Sequence, residues 1–403
     1  MSEFRDEFES EAVEYEPISV KDLLIETKDT SELLIDLAYS AVLHNSQDIA
    51  NEVLELERAM DVLQMRSRMS LLLASRNPQE AEQLAPVLGM VAGAEKISDA
   101  AGDIAKVVLE EIGLPDAVRD ALPEAIETVA RGTVAEDSRF AGRTLEDIDL
   151  ESETGVRVIA IRRGNGWIMN PGPETPIIAG DVTILRAPLN ALQEVYEELT
   201  GSPYEVSIPE DGGHPDFLER AVDSIVLMKD LSELAVDLAY TSVLLDSSEL
   251  AEEVHHIEIE VDALRSRFEA WVLQAAADVE DPVRLRGLLH LGFATETISD
   301  AAIEISEGIL RDIDVHPVTQ AAVQESDELM VRVEVDSGSE LEGTRVEMGV
   351  SEELPAISVL AVRRPEEGWL LMADGSTTLR AGDIVIGKGT QTAVGDFEDA
   401  SLV

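Results

Sequence analysis

Apolar residues between positions 18 and 113 recur at the spacing of helices with one buried face, Leu33, Leu37 and Val42 among them. Three long amphipathic helices are predicted there. Ser46 caps the second, and Asn77-Pro78 with Glu80 supplies a cap, a first-turn proline and a nearby acid for the third. Three helices on short loops predict an antiparallel bundle. Pro115 and Pro123 loosen the chain, and the period then changes. Thr133 to Asp137 and Val156 to Ile161 read as strands, with a short helix over Thr144 to Asp149. Gly164-Asn165-Gly166 turns a hairpin into Trp167-Ile168-Met169. Gly180-Asp181 leads into a strand over Val182 to Arg186, and Leu189 to Leu199 closes the unit as a helix.

The chain then repeats itself. Lys28 to Val42 (KDTSELLIDLAYSAV) and Lys229 to Val243 (KDLSELAVDLAYTSV) agree at ten of fifteen positions, at an offset of 201. Glu95-x-Ile97-Ser98-Asp99-Ala100-Ala101 recurs at Glu296 to Ala302, Gly142 at Gly343, and Arg162-Arg163 at Arg363-Arg364, all at 201. Trp167 matches Trp369 and Gly180-Asp181 matches Gly382-Asp383 at 202, so one residue is inserted in the turn between Arg364 and Trp369. Turns tolerate such insertions. Asp281-Pro282 opens the third helix of the second half as Asn77-Pro78 does in the first. The expected division is an acidic tail over 1–17, a helical bundle over 18–115, a small α/β domain over 116–200 and a Pro/Gly-rich linker over 201–217. A second bundle over 218–315 and a second α/β domain over 316–403 complete it. The fold class is α+β multidomain, two antiparallel helical bundles alternating with two small α/β domains.

Composition narrows the setting. Across 403 residues, 83 acidic side chains face 30 basic ones, of which six are lysine, for a formal net charge of −53. Such a surface repels itself in dilute buffer, and salt near 1 M, with a Debye length of about 3 Å, removes most of that repulsion. The lysine-poor, carboxylate-covered composition resembles that of haloarchaeal, halophilic proteins. No basic stripe is present to displace phosphate counterions, which argues against nucleic acid and against anionic membranes. No apolar run approaches the roughly 18 residues of a spanning segment, so direct membrane insertion is not expected. The acidic start carries no apolar core of a signal peptide, and the expected location is cytoplasmic, peripheral to the membrane only through a partner. With no cysteine, thiol catalysis and cysteine-ligated zinc are excluded.

Gly142 to Ala187 carries a glycine before a short helix, an apolar strand ending in Arg-Arg, a turn, and Gly-Asp before a further strand, and Gly343 to Gly387 repeats the pattern. Both segments resemble the TrkA-C domain, the C-terminal domain of RCK regulators of potassium conductance, although Asn170-Pro171-Gly172-Pro173 has no match in the second copy. The helical segments resemble PhoU-like bundles through their ExxxD spacings. The resemblances imply regulation of a membrane cation (potassium) transporter or channel. They also imply TrkA-C domains that dimerise, within the chain or in a homodimer, and in some members bind cyclic di-AMP (cyclic di-adenosine monophosphate) in the cleft between partners. No GxGxxG is present, so the nucleotide-binding lobe of ring-forming regulators is not carried over.

Two sets of residues are candidates for binding. Arg162, Arg163, Arg363 and Arg364 end apolar strands in a chain poor in cations and present forks suited to phosphate, with Ile159, Ile161 and Pro171 as an apolar floor. Their bland alternative is pairing with the abundant carboxylates. Trp167 and Trp369 read as core. Glu32 and Asp36, with Glu95, Asp99 and Asp103, lie at four-residue spacing on helices, as do Glu233 and Asp237, with Glu296, Asp300 and Glu304. Stripes of this kind facing one another could hold a divalent metal (Fe, Zn or Mg), as the motifs do in PhoU-like proteins; solvated or capping carboxylates are the plainer reading. Glu252, Glu253, His255 and His256 form ExxH spacings on one helix only, where the first half has Leu54 and Glu55, so surface histidines are expected rather than a di-iron centre. No nucleophile–base arrangement stands out, and no enzyme activity is expected. The expected function is a regulatory subunit that senses a nucleotide or ion. The alternatives are a PhoU-like metal-cluster protein in phosphate or divalent-cation regulation and a metal-dependent enzyme on the bundles.

Overall fold

The computed structural model describes residues 19–402 without 116–117, 119–127, 149, 151–153, 155, 165, 170, 188, 205–215, 280, 317–328, 348, 351–356, 365–367, 372–375 and 390. The expected acidic tail, Pro123, Asn165, Asn170 and most of the expected linker lie outside the described residues.

The first helical unit comprises α1 (Val20–His44), α2 (Gln47–Ala74), α3 (Pro78–Gln83) and α4 (Ala85–Leu109). Its caps follow local chemistry. The Ser46 hydroxyl accepts from the Ile49 amide at 3.2 Å, and the Asn77 side chain accepts from the Gln79 and Glu80 amides, both at 3.0 Å. The expected third helix is in fact two. It stops at Leu84 and restarts at α4, because Pro86 in the new first turn has no amide with which to continue the ladder. The second unit repeats the plan with α7 (Asp216–Leu245), α8 (Ser248–Ala275), a 3-10 turn over Pro282–Leu285 and α9 (Arg286–Leu310).

Between them stand β1 (Thr128–Thr133), β2 (Arg143–Thr144), α5 (Leu145–Ile148), β3 (Arg157–Arg163), β4 (Gly166–Met169), β5 (Pro176–Ile177), β6 (Val182–Ala187) and α6 (Leu189–Thr200). The antiparallel sheet has the order β1-β6-β3-β4. Arg163 pairs with Gly166 across a two-residue turn in which Gly164 takes a φ of +61°, a conformation suited to glycine. The first strand runs over Thr128–Thr133, not over 133–137. Gly132 and Arg131 mask it in the sequence. A Cβ at Gly132 would crowd the Leu199, Thr200 and Tyr196 side chains of α6, at 2.9, 3.0 and 3.3 Å. The second copy has β7 (Leu329–Glu334), β8 (Arg345–Glu347), β9 (Gly349–Val350), β10 (Ile357–Arg364), β11 (Gly368–Leu371), β12 (Ser376–Thr378), β13 (Ile384–Gly389) and α10 (Gln391–Ser401), with sheet order β11-β10-β13-β7.

The two helical units share one core. The chain's most extensive helix–helix contact joins α4 to α9 across the halves. They run antiparallel, with Gly89 against Glu304, Gly93 against Ala301 and Ile305, and Gly308 against Pro86. Hydroxyl pairs bind the halves further, Ser31 with Tyr240 at 2.9 Å and Tyr39 with Thr295 at 2.7 Å. The same continuous core takes in one face of each sheet, through Val129, Ile159, Ala160 and Ile184 in the first and Met330, Ala361, Ile384 and Ile386 in the second. The opposite faces form separate small cores, beneath α6 in the first copy. Each sheet is therefore sandwiched between the bundle and its own core.

Candidate functional site

The arginines singled out from the sequence lie at the junction between each sheet and the bundle. Arg162 ends β3 on the bundle side. Its Nε donates to Glu52 Oε2 at 2.5 Å and its Nη2 to Glu52 Oε1 at 2.6 Å, while Arg131 of β1 donates from Nε to Oε1 at 2.9 Å. Glu52 comes from α2 and is 3 % exposed. The second half reproduces this arrangement atom for atom. Arg363 donates to Glu253 from Nε at 2.7 Å and from Nη2 at 2.8 Å, and Arg332 donates from Nε at 3.0 Å. Burial alone would raise the Glu52 carboxyl, but the hydrogen bonds and charge of Arg162 and Arg131 bring it below the usual carboxylate range. Two forked cations on one buried carboxylate form a clamp between strand and helix.

Arg163 and Arg364, one residue on, point to the other side and lock the fold of each small domain. Arg163 donates to Asp181 from Nε at 2.9 Å and Nη2 at 2.7 Å, and to the Pro176 carbonyl at 2.7 Å, while the Ile178 amide donates to Asp181 at 2.8 Å. Arg364 makes the same set with Asp383 at 2.8 and 2.7 Å and with the Thr378 carbonyl at 3.2 Å, and the Arg380 amide joins at 2.9 Å. Burial pushes Asp181 and Asp383 up, and these donors more than reverse it, holding both below the ordinary range. The Gly-Asp turn thus serves to present a carboxylate to Arg163.

The four arginines are engaged by carboxylates of their own half, the alternative that composition suggested. Ile159 and Ile161 do not form one floor. The register shifts between Val158 and Ala160, and this bulge sends Ile159 into the bundle core and Ile161 into the core beneath α6. Pro171 is half-buried beyond the end of β4. Trp167 and Trp369 pack partly buried against the bundle core.

The acidic candidates divide into two groups. Glu32 and Asp36 on α1, with Glu233 and Asp237 on α7, lie on the side of the bundle facing the sheets. Each meets a cation: Lys28 pairs with Glu32, Arg186 of β6 with Asp36, and Lys229 with Glu233 at 2.8 Å. Asp237 is enclosed. Burial first, then repulsion from Glu32 and Glu233, pushes its carboxyl up to about 7 against the attraction of Lys388 and Lys28. The second group lies on α4 and α9. Glu95 pairs with Arg68 at 2.7 Å, Asp103 with Lys106 at 2.9 Å, Glu296 with Arg265 and Glu304 with Lys96. Asp99 and Asp300 are raised by burial, and then by neighbouring carboxylates, Glu95 and Asp61 for Asp99 and Asp262 for Asp300. Among the described residues no group of three or more His, Asp or Glu side chains is arranged to hold a metal ion. With most candidate oxygens already on ammonium or guanidinium groups, this donor set does not fit a metal cluster. His255 is exposed and lies 3.6 Å from Glu258.

The raised Asp237 carboxyl predicts a pH dependence. Its folded value of about 7 lies above the ordinary 3.8, so between these limits the folded chain keeps a proton that the unfolded chain loses. The contribution to stability is full below the lower value and is lost as pH rises through the upper one. Urea unfolding of the wild type at pH 5.5 and pH 8 in high salt is expected to show this loss, and Asp237→Asn to flatten the difference. An unchanged difference in the variant would assign the titration elsewhere.

Fold and junction together define a duplicated architecture, a helical body carrying two clamped sheet domains. The PhoU domain model matches residues 24–108 and 225–309, and the TrkA-C domain model matches residues 129–200 and 330–400. The chain is a tandem of PhoU and TrkA-C domains, both regulatory families. PhoU from Pseudomonas aeruginosa is similar at 12% identity over 76% of this chain and 96% of that one, with a TM-score of 0.40. The GsuK RCK domain is similar at 13% identity over 68% of this chain and 63% of that one, and the GsuK channel bound to NAD at 14% over 68% and 52%, each with a TM-score of 0.18. At such scores these three likenesses carry no argument about function. No curated protein matches the chain. Among the described residues, no helix is long and apolar enough to cross a membrane.

Sequence reasoning missed Glu52, Arg131 and Arg332, and met Glu253 only as part of an ExxH spacing. The available signal was their retention at the 201-residue offset: Glu52 with Glu253, and Arg131 with Arg332.

Proposed function

We propose that this chain is a regulatory subunit of a membrane cation transporter or channel, potassium being the cargo its TrkA-C domains suggest, and that the two clamps transmit the signal. The observation that supports this most is the buried Glu52 and Glu253 carboxylates, each gripped by two arginines of a TrkA-C sheet. A phosphate-bearing ligand that needs Arg162 or Arg363 must displace that carboxylate, so occupancy and undocking are one equilibrium. The ligand shifts the population toward undocked domains, and the transporter responds to the bundle surface so altered. Cyclic di-AMP is the probe ligand.

Rubidium uptake by cells carrying the wild-type chain, no chain, or the Glu52→Ala/Glu253→Ala chain tests this reading. Uptake is expected to lose its regulation without the chain and to be altered in the double variant. Identical uptake in all three strains would overturn it. Calorimetry with cyclic di-AMP bears on the ligand: the double variant, freed of the competing carboxylates, is expected to bind more tightly than wild type, and no heat with either protein would remove this nucleotide. Several tightly bound iron or zinc ions per purified chain would instead favour a metal-dependent protein.

A further inference from the structure

The bundle has a second broad face, turned away from the TrkA-C domains. At 100° per residue, Leu72 lies about 160° round α2 from Glu52, and Leu273 lies at the same angle round α8 from Glu253. These two leucines occupy equivalent positions in the repeat and are 75 % and 71 % exposed, the most open large apolar side chains of α2 and α8. Met65, one heptad before Leu72, and Leu88 on the neighbouring α4 are exposed beside the first; Phe293 on α9 is exposed in the second half. Each patch sits on the helix pair joined by the Arg68–Glu95 or Arg265–Glu296 ion pair. The same helix pairs carry acids with no ion-pair partner among the described residues, Asp61, one turn before Met65, and Asp99 in the first half and Asp262 in the second. A pseudo-twofold axis passes between the patches, where α4 crosses α9 near Lys96 and Thr297.

We propose that this face docks a twofold-symmetric partner presenting two basic segments with apolar tips, one chain engaging one partner dimer. The inference rests on the regulatory reading above and specifies the partner it implies. Large exposed apolar side chains repeated across an axis mark an interface, and a face with twofold repetition is complementary to a partner with the same symmetry. The charge selects the partner's sign. At moderate salt, carboxylates on the same helices as each patch, on a chain of net charge −53, repel a second copy and attract lysine and arginine. Each half supplies one site, and two sites on a rigid body turn modest single contacts into strong avidity.

The test uses the full chain and synthetic probes: a 20-residue amphipathic helix of leucine and lysine, its glutamate counterpart, and two copies of the basic helix joined by a flexible linker. Calorimetry is expected to give two basic peptides per chain and no binding of the acidic one. Leu72→Glu or Leu273→Glu is expected to reduce the count to one, and the double variant to abolish it. The linked probe should bind one per chain, at least about a hundred-fold tighter than the single helix. Binding untouched by the leucine variants, or wild-type self-association in sedimentation that the variants abolish, would overturn the proposal, the latter by assigning the face to a second copy. Normal rubidium regulation in the Leu72→Glu/Leu273→Glu strain would also overturn it while leaving the regulatory reading intact. Unregulated transport in every strain would remove that reading alone.

Discussion

Glu52→Ala is expected to loosen the first TrkA-C sheet from the bundle by about 3 kcal/mol, the lower end of the range for breaking a buried ion pair from one side. The cost arises because two guanidinium groups are left behind without a carboxylate. They remain 21 and 25 % exposed, so water recovers part of the loss, which places the effect at the lower end. Hydrogen exchange of the β1 and β3 amides is expected to accelerate on the order of a hundred-fold, while the α4–α9 seam stays protected. Because the arrangement is duplicated, Glu253→Ala must do the same to β7 and β10. Glu55→Ala, which removes an open partner of Arg58 and a lesser attraction on Arg162 while leaving the Glu52 clamp in place, should change stability by less than about 0.5 kcal/mol. Equal exchange in Glu52→Ala and Glu55→Ala would show that apolar contact alone holds the sheet.

The distribution of cations gives the clamps their significance. The chain has few basic residues, yet Arg131, Arg162 and Arg186 of the first sheet and Arg332, Arg363 and Lys388 of the second are all turned toward the bundle. On a surface this acidic, exposed arginines would find carboxylates anywhere and at little gain. Placed against a buried glutamate, they are screened less by salt and select one docking geometry. An acidic surface and a charged junction are therefore compatible, since only the surface feels the bulk electrolyte.

Most of the architecture was legible because duplication doubles every signal. Helices α1, α2, α4, α7, α8 and α9 stand out through long apolar periods and caps at Ser46 and Asn77, and the small domains through the Arg-Arg and Gly-Asp landmarks. What escaped was local. Strand β1 is broken to the eye by Arg131 and Gly132, whose roles lie in the clamp and beneath α6. The bulge at Ile159 reverses which face the following residues meet, and no period-two reading anticipates it. Glu52 is one acid among 83, and composition hides it. Its burial follows only from knowing that β1 and β3 lie across α2.

Gly93→Val is expected to open the seam between the halves, at a cost of about 3 kcal/mol or more. A Cβ at Gly93 would lie 2.4 Å from Ile305 Cγ1 and 2.8 Å from the Ala301 carbonyl oxygen. The isoleucine can turn, but the carbonyl belongs to α9 and moves only with the helix, so the two helices must separate along their length. Valine adds branched methyls to that conflict. Even Gly93→Ala should destabilise, although in an open helix this change gains up to about 1 kcal/mol. Gly395 on α10 supplies the comparison, since a Cβ there meets nothing within 4 Å, and Gly395→Ala is expected to stabilise its helix. Chemical denaturation in high salt should therefore move the two alanine variants in opposite directions. If both stabilised, α4 and α9 would not be in close contact at Gly93, and the shared core that makes one body of the two halves would have to be abandoned.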